Sequence, residues 1–252
     1  MLRLENIQKT FHQGSPMEKT IFQGLNLEVD KGSFLAIIGP NGCGKSTLLN
    51  LIAGSLAMDD GKILIEEEDI SKFNQRKRSK YLGRVHQNPS QGVSPSLSIL
   101  ENMALADNKM NHFNLTSLVD KKRIDYYKEL LSSLNLGLEN MLDTKVSLLS
   151  GGQRQSLSLI MASMKHPKLL LLDEHTASLD PKTSKVVMEK TLDLIKKNRM
   201  TSIMVTHNMK DAIEYSDRVL MLKDGEIAMD EKSSNITEED LNDLYRMNNV
   251  VD

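Results

Sequence analysis

The chain has 252 residues, with 32 Lys and Arg against 34 Asp and Glu and a single cysteine. That length buries a real core as one large domain or two closely joined lobes; the near-balanced charge gives no support to a nucleic-acid partner, and one cysteine excludes an intrachain disulfide. The start, MLRLENIQ, has no apolar stretch of the signal-peptide kind, and no apolar run approaches the roughly 18 residues that span a bilayer, so a soluble, cytoplasmic protein is expected, reaching a membrane only through a partner.

In chain order, two strand-like runs, Leu2–Ile7 and Thr20–Val29, flank the polar loop HQGSPMEK, and a short run at Lys62–Glu66 is placed to pair with them. Together they predict a small antiparallel sheet. SFLAIIG is a compact apolar strand that runs into GPNGCGKST and then the helical pattern KSTLLNLIAGSL. The loop comprises Gly39, Pro40, Asn41, Gly42, Cys43, Gly44, Lys45, Ser46 and Thr47. Glycines at this spacing, between a strand and a helix, let backbone N–H groups turn inward around phosphate oxygens. Lys45 then reaches the β- and γ-phosphates and the Ser46 hydroxyl ligates Mg²⁺. The loop alone fits kinases, GTPases and helicases equally.

The basic stretch Arg76-Lys77-Arg78-Ser79-Lys80 reads as a solvated helix face. Gln87, in RVHQNPS, offers an amide oxygen to a metal and an NH₂ group to an attacking water, although one glutamine alone proves nothing. Residues 95–160 are poor in β-branched runs and rich in Leu, Met, Asn and Lys, which predicts a mostly helical insertion with a polar loop at Asp107–Asn114. Within it, LSGGQRQ at Leu149 to Gln155 sets a serine before bare backbone amides at a helix start, a second anion site in a chain that already has one. LLLLDE and TSIMVTH are buried-strand runs separated by helical stretches, which gives a parallel sheet with helices on both faces. The first ends in Asp173-Glu174, where carboxylates face the ligand crevice: Asp173 to hold the metal through water, Glu174 to polarise a water for in-line attack. His207 ends the second, placed to stabilise charge on the γ-phosphate in the transition state, although a lone strand-end histidine is more often structural. VLMLKDGEI is a hairpin turning at Asp224-Gly225, and a polar, helix-like tail follows.

The order phosphate loop, Gln87, LSGGQ, Asp173-Glu174, His207 resembles the ATP-binding cassette (ABC) ATPases over nearly the whole chain, with LSGGQ the most specific element. The resemblance implies an α/β P-loop NTPase core with an N-terminal antiparallel β-subdomain and an inserted helical subdomain. The expected division of the single ATPase domain is 1–94 and 161–230 for the β-subdomain and RecA-like core, 95–160 for the helical subdomain, and 231–252 for the tail. It implies ATP and Mg²⁺ as cofactors, the metal held by Ser46, Gln87 and Asp173, and catalysis by Glu174, His207, Gln87 and Lys45. It also accounts for two phosphate devices in one domain. In proteins of this kind two ATPase domains pair head to tail, so Ser150, Gly151, Gly152 and Gln153 close on the γ-phosphate held by the other subunit, giving a symmetric homodimer. Phe11 falls where the family stacks an aromatic ring on adenine. Ser178-Leu179-Asp180 matches the loop that crosses the dimer interface, and SPSLSILEN, Ser94 to Asn102, the segment by which the helical lobe meets a membrane subunit.

Two positions depart from the family pattern. Cys43 stands where many relatives carry serine: a small residue for a tight loop, or a thiol made reactive by a helix N-terminus. His175 follows Glu174 where proline is more usual, and the sequence offers no account of it. EHTASLDP and SLSLIMASM resemble one bacterial subgroup that serves importers with a separate binding lipoprotein, some of them for tryptophan or tyrosine. The expected function is therefore the energy-coupling ATPase of a membrane transporter, an importer of an amino acid or similar small solute. Its permease is a separate polypeptide, and the ATPase sits peripherally on the inner face of the membrane. The alternatives are an exporter or lipoprotein-release ATPase, and a soluble ABC protein such as an iron–sulfur assembly ATPase.

Overall fold

The computed structural model describes residues 1–108 and 118–247. In chain order the elements are β1 (Leu2–Phe11), β2 (Lys19–Val29), β3 (Phe34–Ile38), α1 (Lys45–Ala53), β4 (Asp60–Ile65), β5 (Glu68–Asp69), α2 (Gln75–Arg78) and β6 (Leu82–Val85). The helical stretch follows, with α3 (Ile99–Asp107), α4 (Ile124–Ser132) and α5 (Gly151–Ser163), and then β7 (Leu169–Asp173), α6 (Pro181–Asn198), β8 (Thr201–Val205), α7 (Met209–Tyr215), β9 (Arg218–Lys223), β10 (Glu226–Lys232) and α8 (Glu238–Met247). This is the expected α/β architecture, with an antiparallel N-terminal sheet and a helical region inserted in the chain. The chain forms two compact units, residues 1–82 with 199–252, and residues 83–198.

In the first unit, β1 is paired antiparallel on one side with β2 and on the other with β4, and β5 extends the sheet beyond β4. β1 runs four residues past the expected Ile7. A register shift around Asn6, whose φ is +49°, moves the buried set from Leu2 and Leu4 to Ile7 and Lys9. A bulge inserts one residue and so reverses the alternation, which is why the period-two pattern ends early in the sequence. The second sheet of this unit runs β10-β9-β3-β8. β3 lies parallel to both β8 and β9, with Ile37 opposite Val205 and Leu220. Every residue of β3 and β8 is buried, as strands of a parallel sheet covered on both faces require. The β9–β10 hairpin turns at Asp224 and Gly225, both at positive φ, the conformation of a two-residue hairpin loop.

Arg78 corrects the reading of the basic stretch. Arg76, Lys77 and Lys80 are exposed, but Arg78 is 3% exposed. Its guanidinium donates to the carbonyls of Leu51 and Ile52 in the last turn of α1, and to those of Phe73 and Ser71. It thus satisfies carbonyls that a helix end leaves without intrahelical partners.

The second unit holds neighbouring strands β6 and β7 and a helical core in which Ile99, Met103, Tyr127, Leu131, Leu157 and Ile160 pack together. Asp107, expected in a polar loop, instead ends α3 and is largely buried; the rest of that loop falls mainly on residues 109–117, outside those described. Its carboxylate accepts from Arg123, Lys165 and the Tyr127 hydroxyl. Burial opposes its ionisation, but these donors hold it down to about 2.

Candidate functional site

The first unit carries the phosphate loop and His207. The loop leaves the carboxyl end of β3, and Gly39, Gly42 and Gly44 all have positive φ. A Cβ on Gly39 would stand 2.2 Å from the Leu222 carbonyl oxygen, and one on Gly44 would stand 2.8 Å from the Phe22 ring. Only glycine serves at these points, for backbone and for space. Gly44 caps α1, so the N-terminus of the helix lies at the end of the loop. Lys45 is 5% exposed and its Nζ donates to the carbonyls of Gly39 and Pro40, at 2.7 and 2.9 Å. The ammonium group is therefore held over the loop it is expected to serve. Ser46 is exposed at the first turn of α1. His207 follows β8, the parallel neighbour of β3, and so leaves the same edge of the sheet as the loop. In the antiparallel sheet the Phe11 ring lies 5.4 Å from the Lys9 Nζ.

Cys43 is 5% exposed. Burial pushes its thiol up, with the nearby Lys45 charge only partly opposing. Desolvation of the thiolate outweighs the helix end, which favours the reading of a small residue that fits the turn over that of a reactive thiol.

The second unit carries Gln87, the acidic pair and the signature. Asp173 ends β7 and Glu174 follows at φ +43°, a left-handed conformation seldom taken by a non-glycine residue and found where function imposes strain. Gln87 Nε2 donates to Glu174 Oε2 at 3.1 Å, so two residues far apart in sequence meet. Arg84, which the sequence did not single out, pairs with Asp173 at 2.8 Å. Gln155, at the end of the LSGGQRQ stretch, is a further residue to which the sequence gives no role. It is fully buried and donates to the His86 carbonyl at 3.1 Å, tying the start of the Gln87 loop to α5. Nothing in its spacing separates it from an ordinary polar helix residue.

Ser150 and Gln153 form a capping box on α5: Gln153 N donates to Ser150 Oγ, and Ser150 N to Gln153 Oε1. The glycines between them have a packing role in their own chain. A Cβ on Gly152 would meet the Thr183 methyl at 2.3 Å, and one on Gly151 the Leu179 side chain at 3.2 Å. Asp180 accepts from the Thr183 amide at the start of α6, and the Thr183 hydroxyl together with that amide holds its carboxyl below the usual range. His175 has a structural role. It is 1% exposed, and its Nε2 lies 3.1 Å from Thr191 Oγ1, whose own hydroxyl donates to the Val187 carbonyl. Nε2 must therefore carry the proton, and burial lowers the imidazole to about 4, so it is neutral and ties β7 to α6.

The donors that the family resemblance implies for a metal, the Ser46 hydroxyl, the Gln87 amide oxygen and the Asp173 carboxylate, are hard oxygens and few. Mg²⁺ is bound in this way, by one or two carboxylates plus substrate phosphates.

A phosphate loop after a central parallel strand, an acidic strand end and a serine-capped LSGGQ helix together define an ATP-binding cassette. Residues 22–177, more than half of the chain, match the family described as ABC transporter. The chain is 44% identical over 244 residues to the tyrosine transport ATP-binding protein of Clostridioides difficile (strain R20291), covering 96% of this chain and 97% of that protein. It is 36% identical over 243 residues to the spermidine/putrescine import ATP-binding protein PotA of Aggregatibacter actinomycetemcomitans, covering 96% of this chain and 60% of that one. Among solved structures it resembles the dimeric structure of MJ0796, a bacterial ABC transporter cassette, with a TM-score of 0.78, 30% identity and coverage of 92% and 99%. The chain belongs to the ABC transporter ATPases and is an ATP-hydrolysing enzyme, and membership implies ATP and Mg²⁺ as its ligands. No helix among the described residues is long and apolar enough to cross a membrane.

Proposed function

We propose that this chain is the ATPase subunit of a bacterial ABC importer for an amino acid or similar small solute. It works as a head-to-tail homodimer beneath separate permease subunits supplied by a binding lipoprotein. The observation that carries the reading is end-to-end similarity to a relative named for tyrosine transport, in a chain that keeps all five family elements. In this reading the backbone amides of the loop Gly39 to Thr47, all but Pro40, and the Lys45 ammonium cradle the phosphates, Phe11 stacks on adenine, and Ser46, Gln87 and Asp173 would hold Mg²⁺, which would neutralise phosphate charge. Glu174 takes the proton of the attacking water, which the hydrogen bond from Gln87 supports, and His207 stabilises the γ-phosphate. Ser150, Gly151, Gly152, Gln153 and Asp180 complete the nucleotide site of the opposite subunit. ATP binding then closes the dimer and hydrolysis reopens it. Residues 95–160 act as the lobe that engages the permease, which keeps the protein on the inner face of the membrane.

The test is purification of the chain in mild detergent from its own membranes, with partners identified by mass spectrometry. A multi-span permease arriving with a binding lipoprotein is the expected result. A permease without one converts the reading to export, and soluble partners alone overturn it.

A further inference from the structure

The Gln87 loop and the end of β7 are joined by a contact that the reaction scheme above does not use. Three close approaches seat β6 and its loop on α5: a Cβ on Gly83 would stand 2.3 Å from the Ala162 carbonyl oxygen, Gln155 holds the His86 carbonyl, and a Cβ on Gly92 would stand 2.1 Å from Ser158 Oγ. On the strand so placed, Arg84 Nη2 lies 2.8 Å from Asp173 Oδ2, with side-chain exposures of 14% and 15%. Each carboxylate at the end of β7 therefore receives a donor from the β6 segment, Asp173 from Arg84 and Glu174 from Gln87. For Asp173 that donor carries a full positive charge in a poorly solvated place, where charge pairs interact strongly and an unpaired carboxylate is costly.

We propose that Arg84 is a positioning residue that sets the enzyme's demand for Mg²⁺. Its guanidinium holds the Asp173 carboxylate in place before the metal arrives and competes with the metal for it afterwards. This rests on the assignment of Asp173 to the metal. Guanidinium and Mg²⁺ draw on the same carboxylate and repel each other. Metal binding with ATP therefore has to displace or share a cation, and the free Mg²⁺ concentration needed rises.

The experiment is calorimetric titration of the full chain with a non-hydrolysable ATP analogue over a range of Mg²⁺ concentrations. Arg84→Gln is expected to lower the half-saturating Mg²⁺ about threefold or more, since Coulomb repulsion of a divalent ion at this range is substantial. Arg84→Lys, which keeps the charge, is expected to stay near wild type. An unchanged or raised Mg²⁺ requirement in Arg84→Gln overturns the proposal, because a purely structural arginine alters melting temperature and not metal demand. Should Arg84→Gln fail to fold, the wild-type protein decides. The Arg84 Nε–Hε resonance, assigned through Arg84→Lys, is expected to shift when Mg²⁺ joins the analogue and not when the analogue is added with EDTA. An unmoved resonance overturns the proposal. Asp173→Asn separates the two claims: if it keeps the wild-type Mg²⁺ dependence, the metal role of Asp173 falls and this inference with it.

Discussion

Glu174 sits in a left-handed backbone conformation immediately after a buried strand, with its carboxylate accepting from Gln87. A non-glycine residue in that region costs on the order of 1–3 kcal/mol, and such residues gather at active sites. Glu174→Gln keeps the shape and the backbone but removes the proton acceptor. Phosphate release is expected to fall about a hundredfold or more, the size of a lost general base, while calorimetric ATP affinity stays within about twofold. Retained turnover removes Glu174 from its assigned role. Its neighbour His175 makes a different prediction. Its folded-state value of about 4 lies below the value near 6.5 of an exposed imidazole. The unfolded chain therefore binds the proton first, and stability is full above pH 6.5 and lost as pH falls through the interval toward 4. Between pH 7 and pH 5 the loss is expected to be about 2 kcal/mol by linkage. Urea midpoints at the two pH values measure it, and His175→Leu is expected to reduce the difference, with His86, which burial also lowers, supplying part of the remainder. Asp107, held near 2 by its donors, keeps its stabilising contribution down to 3.8 and loses it only as pH falls from there toward 2, so the two effects separate.

At the scale of elements, α1 is fixed at both ends by different devices. Its N-terminus opens onto the phosphate loop through Gly44, and its C-terminus is closed by Gly54 and Arg78. A Cβ on Gly54 would stand 2.8 Å from the Arg78 side chain, so glycine there makes room for the arginine. Arg78→Met leaves the carbonyls of Leu51, Ile52, Phe73 and Ser71 without their donor. A loss of about 2–4 kcal/mol in urea unfolding is expected, since charged hydrogen bonds to buried carbonyls contribute about 1.5–3 kcal/mol each and the side chain makes several. Arg78→Lys is expected to recover only part, because one ammonium cannot reach the span of a guanidinium fork. A variant as stable as wild type would deny the clamp. In α5 the signature serine and glutamine close the helix start, while Gly151 and Gly152 admit Leu179 and Thr183. These residues therefore have duties within their own chain besides the one the family assigns across a dimer.

For the whole molecule, the proposed pairing places the signature of one subunit over the nucleotide of the other. Ser150→Arg sets a large cation at that surface and leaves the phosphate loop untouched. In the Glu174→Gln background with ATP, the double variant is expected to run as a monomer in size-exclusion chromatography with light scattering, while Glu174→Gln alone runs as a dimer. Nucleotide affinity of the monomer is expected to change little. The lost cap costs about 1 kcal/mol in stability, so Ser150→Asp, which keeps a capping oxygen and adds negative charge facing the γ-phosphate, is the matched control and is expected to block pairing as well. A wild-type dimer in either variant overturns the head-to-tail arrangement.

The phosphate loop, the LSGGQ stretch and the apolar strands were legible in the sequence because each is local: backbone turns, helix caps and buried runs are written in consecutive residues. The same holds for the hairpin at Asp224-Gly225. What the sequence could not decide is which distant polar side chains meet. Gln87 with Glu174, Arg84 with Asp173, Gln155 with the His86 carbonyl and His175 with Thr191 are pairs separated by many residues. Each carries no periodicity of its own and becomes specific only when strands and helices are packed. Arg78 shows the same limit in reverse: its basic neighbours predict a solvated side chain, yet α1 and the loop before α2 bury it. Burial then settles the chemistry too, holding His175 neutral and raising the Cys43 thiol, because the free energy of a charge depends on the surroundings that the tertiary fold provides.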